Sequence, residues 1–124
     1  MKIRFQTKQE LFDFVIPKLR EQGKQSLGAS NDAEYCRYRG DDGSMCAIGL
    51  CIPEDKYSPD FEGVSISNEG ERETVRRILE AAGIPETMWH VACELQDLHD
   101  TNANWTSSGL KESAIENCRR NLRL

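Results

Sequence analysis

YCRYRGDDGSMCAIGLCIPEDKY, running from Tyr35 to Tyr57, is the stretch whose reading decides the fold. Its middle, Met45 to Ile52, is the most apolar run in the chain and carries no charge. An exposed run of small and branched apolar side chains would be an aggregation-prone patch, so burial is expected. Cys46, Ala47, Ile48, Leu50 and Ile52 are expected inside. Gly49 marks a place where another backbone or an aromatic ring crosses closely. The expected packing partners are Leu11 and Val15 of a first helix and Val91 and Leu95 of a third. Ahead of this run, Tyr35 to Arg39 alternates aromatic and polar positions, and Gly40-Asp41-Asp42-Gly43 is turn chemistry. Ser44 to Ile48 then returns as the partner strand of a hairpin. The alternative is a short helix capped by Ser44 and running through Leu50. We read a hairpin arm that passes directly into a buried turn of helix ending before Pro53.

Upstream, Met1 to Phe5 alternates charged and apolar residues, as in a short strand or an extended lead-in. Thr7 and Glu10 form a capping box that opens a helix from about Lys8 to Gln22. Leu11, Val15 and Leu19 share one stripe of it, with Phe12 and Ile16 beside them, and Gly23 stops it. Pro17 removes the amide that would bond to Asp13, which predicts a kink or a divided helix. Lys24 to Glu34 reads as loop, pinned by Leu27.

Downstream, Ile52 to Ile66 is irregular, anchored by Tyr57 and Phe61, with a possible short strand at Val64 and Ile66. A second helix is predicted from about Glu71 to Ala82, with Val75, Ile78, Leu79 and Ala82 on one face and a stop at Gly83. Pro85 fits the first position of a third helix. Met88, Val91, Leu95 and Leu98 lie on one face of it, with Trp89, Ala92 and His99 on the flanks. Ser107 or Ser108 caps the last helix, where Leu110, Ala114, Cys118 and Leu122 recur every four residues and Arg119, Arg120 and Arg123 complement the dipole. The expected fold is α+β: a mostly helical single domain, about four helices around a small β-hairpin element.

A chain of 124 residues is one domain by length and can bury a core without metal or disulfide support. Hydrophobic residues make up 38% and charged residues 30%, a globular rather than a disordered composition. No apolar run is long enough to span a membrane, and the N-terminus lacks a secretory h-region, so a cytoplasmic protein is expected. Five cysteines without paired spacings read as reduced thiols. The net charge of −5 is uneven: residues 31–62 hold eight acidic groups against Arg37, Arg39 and Lys56. Solvated turns account for those acids; an acidic face for a basic partner is the alternative.

Chemistry is less legible. Cys46 and Cys51 could meet His90 and Cys93 in a four-ligand site, with Cys36 nearby in sequence, but their small apolar neighbours make them ordinary core thiols. We expect no metal and no cofactor. His99 and Asp100, near Trp105, could form an oriented base, yet adjacent helix residues point about 100° apart, so a half-buried histidine at a helix C-terminus is the reading. Asp32, Asp41 and Asp42 could hold magnesium, though turn acids explain them more simply. The basic groups Arg72, Arg76, Arg77, Arg119, Arg120 and Arg123 share their helices with glutamates, which argues against direct nucleic-acid binding. The candidates for ligand or partner binding are Tyr38, Asp41, Asp42, Trp89, His99 and Trp105. Four of them, Tyr38, Trp89, His99 and Trp105, would line a cleft between the central stretch and the third helix suited to a nucleotide-like ligand.

The motif C-x-Y-R-G-x-x-G from Cys36, followed by C-A-I-G-x-x-I-P-x-x-x-Y from Cys46, resembles a family of small uncharacterised proteins encoded in tailed-phage and prophage genomes. The likeness extends to Gln22-Gly23, to Y-S-P-x-x-E-G at Tyr57 to Gly63, and to L-Q-x-x-H-D at Leu95 to Asp100. It covers about half of the chain and transfers no catalytic residue. What it implies is a setting. The expectation is a phage accessory product, non-enzymatic, that binds and inhibits or modulates a host or defence protein in the bacterial cytoplasm. A small-ligand protein and a zinc- or cysteine-dependent enzyme are the alternatives.

Overall fold

The computed structural model describes residues 3–27, 37–40 and 42–124, so the readings that fall on Asp32, Tyr35, Cys36 and Asp41 lie outside the described residues. The fold is mostly helical α+β. Helices α1 (Lys8–Gln22), α2 (Arg72–Ala82), α3 (Trp89–Asp100) and α4 (Glu112–Asn121) accompany one antiparallel pair, β1 (Trp105–Thr106) and β2 (Gly109–Leu110). Trp105 lies opposite Leu110, and Thr106 opposite Gly109.

The helices follow their periodicity. In α1, the Glu10 amide donates to the Thr7 hydroxyl at 3.1 Å, and that hydroxyl lies 3.3 Å from the Glu10 carboxylate. Gly23 ends the helix at φ 73°, where its lack of a Cβ makes the left-handed turn inexpensive. The helix runs undivided through Pro17. Pro17 sits on the exposed face, so one missing hydrogen bond is outweighed by burial of Leu11, Phe12, Val15, Ile16 and Leu19. Val75, Ile78, Leu79 and Ala82 of α2 are buried, as are Leu110, Ala114, Cys118 and Leu122 around α4. Pro85 does not open α3 directly, because a 3-10 turn at Glu86–Met88 intervenes. Ser107 and Ser108 make the exposed turn of the β pair instead of capping α4, which begins after Lys111 without a side-chain cap.

The central stretch departs from the expected hairpin. No strand forms over residues 37–40 or 44–48. Two backbone bonds, Gly40 amide to Ser44 carbonyl at 2.8 Å and Gly43 amide to Gly40 carbonyl at 3.1 Å, close the turn, and among the described residues the ladder goes no further. Side chains take the place of a partner strand. The Tyr38 and Arg39 amides each donate to the Glu62 carboxylate at 3.0 Å. The Gln22 side-chain amide accepts from the Met45 amide at 2.8 Å and donates to the Met45 carbonyl at 2.9 Å. The Ile48 amide donates to Gln96 of α3 at 3.1 Å. Buried backbone groups must be paired, and here glutamine and glutamate side chains do the pairing.

Beyond these bonds the chain enters a 3-10 turn at Gly49–Cys51, followed by Ile52 and Pro53. Cys46, Ala47, Ile48, Cys51 and Ile52 are buried as expected, whereas Leu50 is only half-buried. A methyl group on Gly49 would overlap the Tyr38 carbonyl, the close backbone crossing that the glycine indicated. The turn lies against α1 and α2, and the residue before it, Ile48, is tied to α3 by its bond to Gln96 rather than by the expected packing on Val91 and Leu95 alone. Phe61 is buried and Tyr57 half-buried in the irregular segment that follows, which is built from 3-10 turns at Glu54–Lys56 and Pro59–Phe61. Neither Val64–Ile66 nor residues 3–5 form a strand. The Arg4 and Phe5 amides instead share the Gly83 carbonyl at 2.9 and 3.2 Å. Leu27 is half-buried, and the loop is held by fully buried Ser26. No helix among the described residues is long and apolar enough to cross a membrane.

Candidate functional site

His99 is 0% exposed, more deeply placed than the half-buried position its helix end suggested. Its Nε2 accepts from the Ser26 amide at 2.9 Å, which fixes the neutral ring with its proton on Nδ1. Nδ1 then donates to Asp100 at 2.8 Å. Adjacency on the helix does not keep the two apart, because Asp100 occupies the last position of α3. Gln96 donates to the same carboxylate oxygen at 2.8 Å, while Gln25 and Trp105 donate to the His99 carbonyl at 3.0 and 2.8 Å. The Trp105 ring meets the imidazole edge-on. Both ring nitrogens of this histidine are bonded, and its Nε2 and carbonyl join the Gln25–Ser26 loop to α3.

Of the described thiols, Cys46, Cys51 and Cys118 are likewise buried and Cys93 is half-buried. Burial pushes the Cys46 thiol far above its ordinary range and that of Cys51 up to about 12. Burial also raises Cys93 and Cys118, each to about 11. A nucleophilic cysteine needs the opposite shift. His90 is exposed, and no group of three or more histidine, cysteine or acidic residues that could hold a metal occurs among the described residues.

Around the central stretch, Glu62 is the hub. Besides the two amides it accepts the Tyr57 phenol at 2.6 Å, and Arg37 approaches to 3.7 Å. Burial, then the neighbouring carboxylate, raises the Tyr57 phenol to about 12. Arg39 donates to the Gly49 and Ile52 carbonyls at 2.7 Å each and lies over the Tyr57 ring. It thereby satisfies the end of the 3-10 turn. The Tyr38 phenol donates to the Val64 carbonyl at 2.6 Å. Asp42 accepts from the Ser44 amide and hydroxyl at 3.0 and 2.6 Å and from Lys24 at 2.6 Å. Lys24, then Ser44, hold its carboxyl well below the usual range. With Glu62 turned inward and Asp42 paired, the described acids of this stretch do not form one uniform acidic face.

Trp89 is placed differently. It opens α3 and is half-buried, its indole N–H donating to the Ile66 carbonyl at 2.6 Å. The Arg72 guanidinium stands over its ring, 5.5 Å from the centroid. Together with Val75, Arg76, Leu79 and Glu86 these residues line a groove of about 430 Å³. Residues 72, 75, 76 and 79 form one stripe of α2, the spacing at which helix side chains become neighbours. On its other side Trp89 borders a shallow depression with His90, Cys93, Glu94 and Asp97. Burial, then Glu94 and Asp100, raises the Asp97 carboxyl. The indole is thus a fixed aromatic ridge between a basic flank and an acidic one.

The sequence candidates therefore do not share one cleft. His99 and Trp105 meet at the C-terminal end of α3, about 15 Å along the axis from Trp89. Tyr38 and Trp89 bind opposite ends of the Val64–Ile66 segment, and Asp42 stands in its own turn. Arg72 and Arg76 gain their significance only from the position of Trp89, and the sequence marks them merely as helix arginines. Comparison with protein-family models, with curated proteins and with solved structures returns no match for this chain.

Proposed function

We propose that this chain is a non-enzymatic interaction protein, a phage or prophage accessory product that binds and inhibits a host or defence protein in the bacterial cytoplasm. The setting rests on the resemblance carried by Cys36 to Tyr57. The docking surface rests on one observation: the half-buried Trp89, oriented by its bond to Ile66 and stacked against Arg72. Tryptophan and arginine dominate the energetics of protein interfaces, where they fill pockets with rigid, amphipathic surface. An indole already fixed in the free protein loses little freedom on binding. Val75 and Leu79 supply the apolar floor, and the charges on either side supply orientation.

The test is capture from bacterial lysate on the immobilised chain over a series of salt concentrations. A stoichiometric protein partner is expected on the wild type and not on Arg72→Glu. Recovery of no partner at any salt concentration, or equal recovery on the variant, rejects the reading.

A further inference from the structure

A second concavity lies along the other exposed stripe of α2. Arg4, Pro53, Lys56, Ser58, Phe61, Arg77, Glu80, Ala81 and Gly83 line a groove of about 890 Å³, open to solvent. Three segments distant in sequence each contribute a cation to it: the extended residues ahead of α1, the turn at Glu54–Lys56, and α2. Among the described residues no carboxylate lies within ion-pair distance of Arg4, Lys56 or Arg77. Glu80 is the single acid of the lining. In a chain of net charge −5 this convergence runs against the overall field.

Two of the cations are held in place. The Arg4 stem lies against Gly83, where any Cβ would collide with it, and its guanidinium donates to the Cys51 carbonyl beside the Phe5 and Phe14 rings. That single bond leaves the other guanidinium N–H groups free. Arg77 stands over Phe61, 5.7 Å from the ring centroid. The Ser58 oxygen accepts from the Asp60 amide, so its own proton remains available to a ligand. Pro53, Phe61 and Ala81 give the groove an apolar wall.

We infer that this groove binds the phosphate group of a small phosphorylated molecule whose body rests on Pro53, Phe61 and Ala81. Guanidinium forks pair with phosphate oxygens through short, charge-assisted bonds, and Lys56 adds a mobile point charge. The inference is independent of docking at Trp89, because residues 77, 80 and 81 and residues 72, 75, 76 and 79 belong to different stripes of α2.

The experiment is an NMR titration of the full chain with inorganic pyrophosphate and with glycerol 3-phosphate, against sodium chloride at matched ionic strength. Saturable shifts at Arg4, Lys56, Arg77 and Gly83 are expected, with affinity about tenfold weaker in Arg77→Gln and in Lys56→Gln. Both substitutions lie on the surface and leave the fold intact. Shifts that grow without saturation and are matched by chloride would overturn the inference, as would equal affinity in the variants. A parallel arm offers phosphatidylcholine vesicles containing phosphatidic acid; capture by these without any response to the soluble phosphates would overturn it as well, in favour of a lipid surface.

Discussion

Glu62 shows what a single side chain contributes when it replaces a strand. Its carboxylate is 13% exposed and accepts two backbone amides and a phenol. Glu62→Gln places an N–H group where only acceptors fit, and a loss of about 1–3 kcal/mol is expected from the group left unsatisfied. A lower denaturant midpoint at unchanged slope would record it. Asp42 behaves otherwise because it is exposed. Its folded-state carboxyl titrates below the unfolded value, so its contribution is present above the unfolded pKa and is lost as pH falls toward the folded one. Stability should therefore decline below about pH 4, and Asp42→Asn should flatten that part of the Tm profile. The thiols give a third outcome at this scale. Cys46 and Cys51, buried and shifted upward, should react with a thiol reagent at neutral pH only as fast as the molecule unfolds.

The elements divide into those that are legible in sequence and those that are not. All four helices follow from apolar stripes, and Thr7, Gly23 and Gly83 mark their ends, because caps and periodicity are local properties. The central hairpin fails for a nonlocal reason. Its pairing is supplied by Gln22, Glu62 and Gln96, and an isolated glutamine or glutamate in a sequence reads as a solvated residue. The β pair at Trp105–Leu110 goes unseen because two serines before a helical pattern also read as a cap, although a β-prone Trp-Thr step ahead of a glycine was the available signal. Burial of Cys46, Ala47, Ile48 and Ile52 is legible, since an uncharged apolar run demands it, whereas the half-burial of Leu50 is not. Ile48→Ala should accordingly cost about 2–5 kcal/mol through transfer and cavity terms. Gly49→Ala should cost about 1–3 kcal/mol, because its methyl group meets backbone that cannot turn aside.

On the scale of the whole molecule, the residues that carry the resemblance are largely those that hold the fold together: Gln22, Arg39, Tyr57, Glu62, Gln96, His99 and Asp100 all bond to distant backbone or to each other. A motif of this kind marks an architecture, and the surface that acts must be sought elsewhere. Trp89 and Arg72 lie outside those motifs: the indole is anchored through its N–H to Ile66, yet it stays half-exposed and the Arg72 side chain beside it is exposed. This division between residues that build and residues that bind is separable by measuring Tm and lysate capture side by side on Arg72→Glu and Glu62→Gln. Arg72 lies in the first turn of α2, where a carboxylate suits the helix dipole. Arg72→Glu should keep the wild-type Tm and lose the partner. Glu62→Gln should melt lower and still capture the partner at temperatures where it is folded. An Arg72→Glu protein that retains the partner, or a Glu62→Gln protein that loses it with Tm unchanged, would overturn this division.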